Sequence, residues 1–247
     1  MIRPLVLTLC VIAICAGCKP YYQAETVVAN RQSLTEASVA DESVSQEVEE
    51  MIDPYRQELE TAMAEVIGQV EEPLTLSAGE STLGNWVADL LYDEAKRLFP
   101  DQPIDFAITN RGGLRIDEIP AGPITMEDMY RLMPFDNELV LVNINGVVME
   151  EFLDYMVERW RGWPQSSQLR YRIEGNKPMA VTIQDTSPVL NRNYLVAMPD
   201  YIANGGDNAE MLADRPQIKS GQLIRDLLID AIKRRRVIQA ELDGRIE

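Results

Sequence analysis

Apolar residues along this chain keep changing their spacing, and each change predicts an element. Pro4 to Ala16 is almost wholly apolar, whereas residues 18–42 are rich in Gln, Ser, Thr and Ala without periodicity, which predicts a tether. Val44, Val48, Ile52 and Tyr55 recur at helical spacing, so a helix is predicted over 43–63, with Pro54 expected to kink or divide it. A strand follows over 64–70. Trp86, Val87, Leu90, Leu91 and Leu98 then line one helical face, with Ser81 or Thr82 as N-cap and Pro100 as the stop. The compact run Ile104 to Thr109, bounded by Pro103, reads as a strand. A short helix starts at Thr125 and stops before Pro134. Residues 138–144 predict a strand, and 147–161 a helix presenting Phe152, Met156 and Trp160. Strands follow near 169–174, 178–184 and 193–199, and Ser220 is expected to cap a last helix through Leu223, Leu227 and Ala231. The irregular alternation predicts an α+β domain with a mixed β-sheet and packed helices rather than a βαβ array.

Two of the predicted strands run into paired glycines. Asn110-Arg111-Gly112-Gly113-Leu114-Arg115 follows the strand at 104–109, and Asp200-Tyr201-Ile202-Ala203-Asn204-Gly205-Gly206-Asp207 follows the strand at 193–199. Glycine pairs at such places allow backbone conformations and close ligand approach that a Cβ would block. Asn and Arg beside them offer an amide fork and a fixed cation. Between the two lies Met133-Pro134-Phe135-Asp136-Asn137.

Taken in that order, N-x-G-G-L-R, P-F-x-N and D-Y-x-A-N-G-G-D resemble the C-terminal domain of the bacterial and animal 5′-nucleotidases. That family also contains UDP-sugar hydrolases and 2′,3′-cyclic phosphodiesterases. The resemblance extends from about Ser43 to Asp243-Gly244-Arg245-Ile246, and implies a single domain of that type over 43–247. It places a nucleobase between Phe135 and Tyr201, a hydrogen bond from Asn137 to the base edge, and ribose hydroxyls on Asp207. It sets Asn110 and Arg115 on the nucleoside and phosphate side, with Gly205 and Gly206 keeping that wall close. Stacking uses the π-face of any base, so Tyr201→Phe is expected to cost little. Each residue also has a plainer use: Phe135 and Tyr201 as core, Asn110 and Asp207 as closers of their own turns. Three positions depart from the family. Ser77-Ala78-Gly79-Glu80 stands where an arginine is usual, Ser167-Gln168 where a glycine pair is usual, and Arg111 where a small residue is usual. Arg111 either replaces the missing cation or points to solvent.

Composition narrows the chemistry. The chain has 247 residues, 40 acids against 23 bases, and a net charge of −17, which argues against a nucleic-acid polymer as partner. It has no histidine. The family carries its catalytic metals in a separate N-terminal metallophosphoesterase domain with Asp, His and Asn ligands, and no such domain lies between residue 18 and the first matching residue. Composition leaves room for an all-carboxylate magnesium site, but no clustered Asp/Glu motif points to one. No cofactor is expected in this chain, divalent metals being expected only in the partner phosphoesterase, and the domain is expected to be inactive alone. Lys233-Arg234-Arg235-Arg236 is read as complementing a helix dipole rather than as an anionic-partner site.

All three cysteines, Cys10, Cys15 and Cys18, lie near the N-terminus, so disulfides are not expected in the folded part. Arg3, the apolar run and Cys15-Ala16-Gly17-Cys18 form a secretory signal over 1–17. Its end resembles the bacterial lipoprotein box, with Cys18 lipidated and Cys15 where Leu is usual. A lipid anchor in the bacterial cell envelope, on the periplasmic or surface face, is the corresponding expectation. The functional expectation is a nucleotide- or nucleoside-recognition domain of a split 5′-nucleotidase, working with a separately encoded metallophosphoesterase in nucleotide catabolism. The alternative is a non-catalytic nucleotide-binding or interaction lipoprotein with no hydrolase partner.

Overall fold

A continuous apolar run in a strand signals burial on both faces, and Leu139-Val140-Leu141-Val142 behaves in that way. In the computed structural model, which describes residues 42–247, Leu139 and Leu141 pack into one core and Val140, Val142 and Ile144 into another. The chain divides into two units, Met1–Ile52 and Asp53–Glu247. The expected signal segment 1–17, Cys18 and nearly all of the tether 18–42 lie outside the described residues.

In chain order the elements are α1 (Glu42–Met63), β1 (Val66–Val70), β2 (Leu74–Thr75), α2 (Thr82–Leu98), β3 (Ile104–Ala107), β4 (Glu118–Ile119) and β5 (Gly122–Thr125). Then come α3 (Met126–Leu132), β6 (Glu138–Asn145), α4 (Gly146–Trp160), β7 (Leu169–Glu174), β8 (Lys177–Ile183) and β9 (Asn193–Pro199). The chain closes with α5 (Asp200–Ala203), β10 (Gln217–Leu223), α6 (Ile224–Arg235) and β11 (Val237–Ile238). The central sheet has the order β10-β6-β9-β3. In it β6 is antiparallel to both β10 and β9, whereas β3 is parallel to β9, so the sheet is mixed as expected. A smaller mixed sheet has the order β11-β1-β5. One face of the central sheet joins Trp86, Leu90 and Leu91 of α2 with Leu227 and Leu228 of α6. The other joins Phe152 and Met156 of α4 with Trp163, whose ring meets Phe152 edge-on at 5.7 Å.

Local signals explain the helix starts. Ser81 caps α2, its Oγ accepting from Gly84 N–H, and Thr125 forms a reciprocal capping box with Asp128 on α3. Two expectations need correction and one is narrowed. Of the two outcomes expected for Pro54, division of the helix does not occur: α1 runs through it, at the loss of one i→i−4 bond. Trp160 is exposed rather than presented to the core. Ser220 caps nothing: it lies in β10, and α6 begins at Ile224 after Leu223. An edge strand needs no strict apolar alternation, so its polar residues read as a loop leading to a cap. The basic run is also held by more than a dipole: Lys233 pairs with Glu65 at 2.8 Å, Arg235 with Asp93 at 2.6 Å, and Arg234 with buried Glu94.

The chain's end is locked to α2 by a buried guanidinium. Arg245 donates from Nη1 and Nη2 to the two carboxylate oxygens of Asp89, at 2.9 Å each. It also donates to Asp243 and to the Gln165 carbonyl. Burial pushes the Asp243 carboxyl up, but the bonds and charge of Arg245, with Arg170, outweigh this and hold it below its ordinary value. A depressed carboxylate contributes stability above its unfolded pKa of roughly 3.9, and that contribution is lost as pH falls through the folded value. In urea unfolding, Arg245→Met is expected to cost about 3 kcal/mol at neutral pH. Asp243→Asn is expected to lose less stability than wild type between neutral pH and pH of about 3.

Candidate functional site

Strand direction gathers the three motifs. β3 and β9 run parallel, with Ala107 opposite Ala197, so both leave the sheet at the same end. β6 runs against β9 with Leu139 opposite Pro199, so it enters the sheet at that end. The segments 110–115, 133–137 and 200–207 are therefore neighbours although up to 97 residues separate Asn110 from Asp207. They enclose a cavity of about 300 Å³ lined by Asn110, Gly112, Gly113, Arg115, Phe135, Asn137, Tyr201 and Asp207.

The two rings in this cavity are each 46 % exposed, unlike Phe106 and Phe152, which are fully buried. That disposes of the core reading for Phe135 and Tyr201: apolar burial does not account for them. Gly205 and Gly206 do not line the cavity, and their work is indirect. Gly205 takes φ +88° and ends α5, while a Cβ on Gly206 would stand 2.6 Å from Tyr201 Cε1 and Cζ. Asp207 itself is left-handed, at φ 53°, a conformation that Asp tolerates better than most residues. The other pair differs from expectation, because Gly112 and Gly113 form a 3₁₀ turn without positive φ. Gly113 is small for packing: a Cβ would lie 2.8 Å from Asn110 Oδ1.

Asp207 is the hub of the polar wall. Its Oδ2 accepts from Asn110 Nδ2 at 2.6 Å and its Oδ1 from the Tyr201 hydroxyl at 3.0 Å. The Asp207 N–H donates back to that hydroxyl at 3.1 Å, and the Tyr155 hydroxyl donates to the Asp207 carbonyl. Each carboxylate oxygen has a second lone pair, so Asp207 retains acceptor capacity toward the cavity. The Tyr201 hydroxyl is therefore placed to orient Asp207, a contact that the sequence-based expectation for Tyr201→Phe did not include. Asn110 is buried, and the carboxylate opposite it fixes its amide orientation.

Arg115 supplies the cation. Its guanidinium carbon lies 5.8 Å from the Phe135 ring centroid, and among the described residues it makes no ion pair. Arg111 does not reach the cavity and stands 3.7 Å from Asp117. Glu80, where the resemblance expects an arginine region, instead accepts from Asp243 N–H, Gly244 N–H and Asn85 Nδ2 near the chain's end. Ser167 and Gln168, which stand where a glycine pair is usual, also lie outside the cavity lining. Sequence reasoning missed Asp200, whose Oδ1 accepts from both Glu138 N–H at 3.0 Å and Tyr201 N–H at 2.9 Å, joining the two aromatic segments. Its place as the first residue of the D-Y-x-A-N-G-G-D motif was the available signal. A larger open hollow of about 490 Å³ lies at the opposite end of the sheet, around Asp105, Asn143 and Arg192, but no aromatic ring among the described residues lines it. The residues do not fit a catalytic metal centre of the kind the family resemblance implies: the chain has no histidine, and among the described residues no cluster of three acidic, Cys or His side chains could hold an ion.

A family model described as the 5′-nucleotidase C-terminal domain matches residues 66–214. A 5′-nucleotidase of Vibrio parahaemolyticus is 29 % identical over 163 residues, a match covering 64 % of this chain and 28 % of that protein. The 5′-nucleotidase of Mus musculus is 26 % identical over 195 residues, covering 68 % of this chain and 33 % of that protein. The chain thus spans a third or less of these two relatives. Among solved structures, a 5′-nucleotidase precursor from Thermus thermophilus superposes with a TM-score of 0.67 at 27 % identity, over 85 % of this chain and 44 % of that one.

The glycine geometry gives a direct test. Gly206→Ala is expected to cost roughly 1–3 kcal/mol in urea unfolding, because its Cβ would stand 2.5 Å from the Tyr201 carbonyl oxygen and 2.6 Å from its ring, so backbone and ring must both shift. Gly112→Ala is expected to be close to neutral, since its nearest neighbour, Asn110 Nδ2, is at 3.4 Å.

Proposed function

The chain belongs to the 5′-nucleotidase C-terminal domain family, and from that premise we propose that it is the nucleotide- or nucleoside-recognition part of a nucleotide-hydrolysing system. The base lies between Phe135 and Tyr201, with Asn137 on its edge. Asp207 accepts from ribose hydroxyls, and Asn110 and Arg115 face the remaining polar side of the ligand. The observation that carries this reading is the pair of half-exposed rings across one cavity whose polar wall is a positioned carboxylate. Roughly 1–3 kcal/mol per stacked ring is available to bind a base without reading its identity.

Ester hydrolysis itself belongs, in this proposal, to a separately encoded metallophosphoesterase, because this chain lacks the imidazole ligands for such a centre. Lipidation at Cys18 would hold the domain at a bacterial envelope membrane, where anchoring of both parts raises their effective concentration. The rival, a binding lipoprotein without a hydrolase, is favoured by one observation: among the described residues, Arg115 is the only cationic side chain lining the cavity. A ligand with little phosphate charge would suffice for it.

Titration calorimetry of the mature domain with adenosine, AMP, deoxy-AMP and UDP-glucose tests the reading. Phe135→Ala and Tyr201→Ala are each expected to weaken binding about ten- to a hundredfold. Tyr201→Phe, which frees one side of Asp207, is expected to cost about 1 kcal/mol. Asp207→Asn is expected to reduce the preference for ribose over deoxyribose more than it changes base preference. Wild type that binds none of the four at millimolar concentration contradicts the proposal. So does wild-type binding that both alanine variants leave unchanged.

A further inference from the structure

Phe135 is half exposed, so core packing does not fix where its ring stands. Chain outside all three motifs does. At the start of α6, Ile224 N–H donates to the Asn137 carbonyl at 2.9 Å. The next side chain, Arg225, is only 7 % exposed and lies beneath the 133–137 turn. It donates from Nη1 to the Met133 carbonyl at 3.1 Å and from Nη2 to Asp136 Oδ1 at 2.7 Å. Its guanidinium stacks over Tyr130 of α3, 4.2 Å from the ring centroid. These bonds bracket Phe135 on both sides.

We propose that Arg225 is a positioning residue for nucleoside binding, holding Phe135 and Asn137 in place without touching the ligand. The pair it makes is a poor source of stability. The Asp136 side chain is 74 % exposed, so its attraction is screened, while burying the guanidinium carries a desolvation cost. What the planar fork does supply is direction, serving two acceptors at fixed angles. A lysine ammonium is a point charge and does not reproduce that fork. The same turn is tied on its other side, where Arg115 N–H donates to the Leu132 carbonyl at 2.9 Å. Arg225 is not among the residues lining the cavity, so it ties the turn from outside it.

The binding part of this inference rests on the nucleoside reading above, whereas its structural part does not, and the experiment separates them. Arg225→Met, Arg225→Lys and Asp136→Ala are made in the wild-type and Phe135→Ala backgrounds. Asp136→Ala removes an exposed partner and so serves as the variant that keeps its fold. Without ligand, amide hydrogen exchange over 133–138 is expected to speed up about tenfold or more in both Arg225 variants, and less in Asp136→Ala, while β9 is unchanged. With adenosine, Arg225→Met is expected to bind about three- to tenfold more weakly, as ordering the turn becomes part of binding. That loss is expected to shrink in the Phe135→Ala background, where only the placing of Asn137 remains to be lost. Unchanged exchange over 133–138 in Arg225→Lys and Asp136→Ala overturns the proposal, and so does an equal loss of affinity in both backgrounds. If wild type binds no nucleoside, the functional reading fails, and the exchange result alone decides whether Arg225 holds the turn.

Discussion

The pairing of β6 with β9 is the constraint on which the site depends. Seven residue pairs, from Leu139 with Pro199 to Asn145 with Asn193, hold the two strands antiparallel, and β3 joins β9 in parallel. That combination alone brings two strand exits and one strand start to the same end of the sheet. A one-residue slip would turn every side chain of β6 to the opposite face, and both cores forbid it, since Leu139 and Leu141 belong to one and Val140 and Val142 to the other. Core packing therefore fixes where the aromatic walls begin. Asp200 then ties the start of β6 to Tyr201 through a single carboxylate oxygen.

Within this frame, charge acts locally. The net charge of −17 disfavours an approaching anion over distance, but screening limits that field to about 8 Å at physiological salt. Inside the cavity the arrangement is mixed: Asp207 is held by neutral donors from Asn110 and Tyr201, and Arg115 stands beside Phe135. A ligand with hydroxyls at one end, a flat ring between the aromatic walls and limited negative charge matches these neighbours.

Much of this was legible in the sequence because a few residue types carried it. Phe135, Asn137, Tyr201, Asp207, Asn110 and Arg115 stood in ordered motifs beside predicted strands, and the structure brings all six to one cavity. What the sequence concealed was indirect work. Gly206 clears space for a ring, the Tyr201 hydroxyl orients a carboxylate, and Arg225 holds a turn from a helix with no motif of its own. Gly206 and Tyr201 stand in a motif whose spacing does not tell what they touch, and Arg225 stands in none. β10 was hidden for a different reason: as an edge strand it is polar enough to resemble a loop.

The most direct measurement follows the ligand rather than the protein. Proton NMR of adenosine titrated with the wild-type domain reports ring-current shifts at the base and at the ribose. A base stacked between Phe135 and Tyr201 moves its own protons upfield well beyond the ribose protons. Binding in which the base protons move no further than the sugar protons would contradict the account.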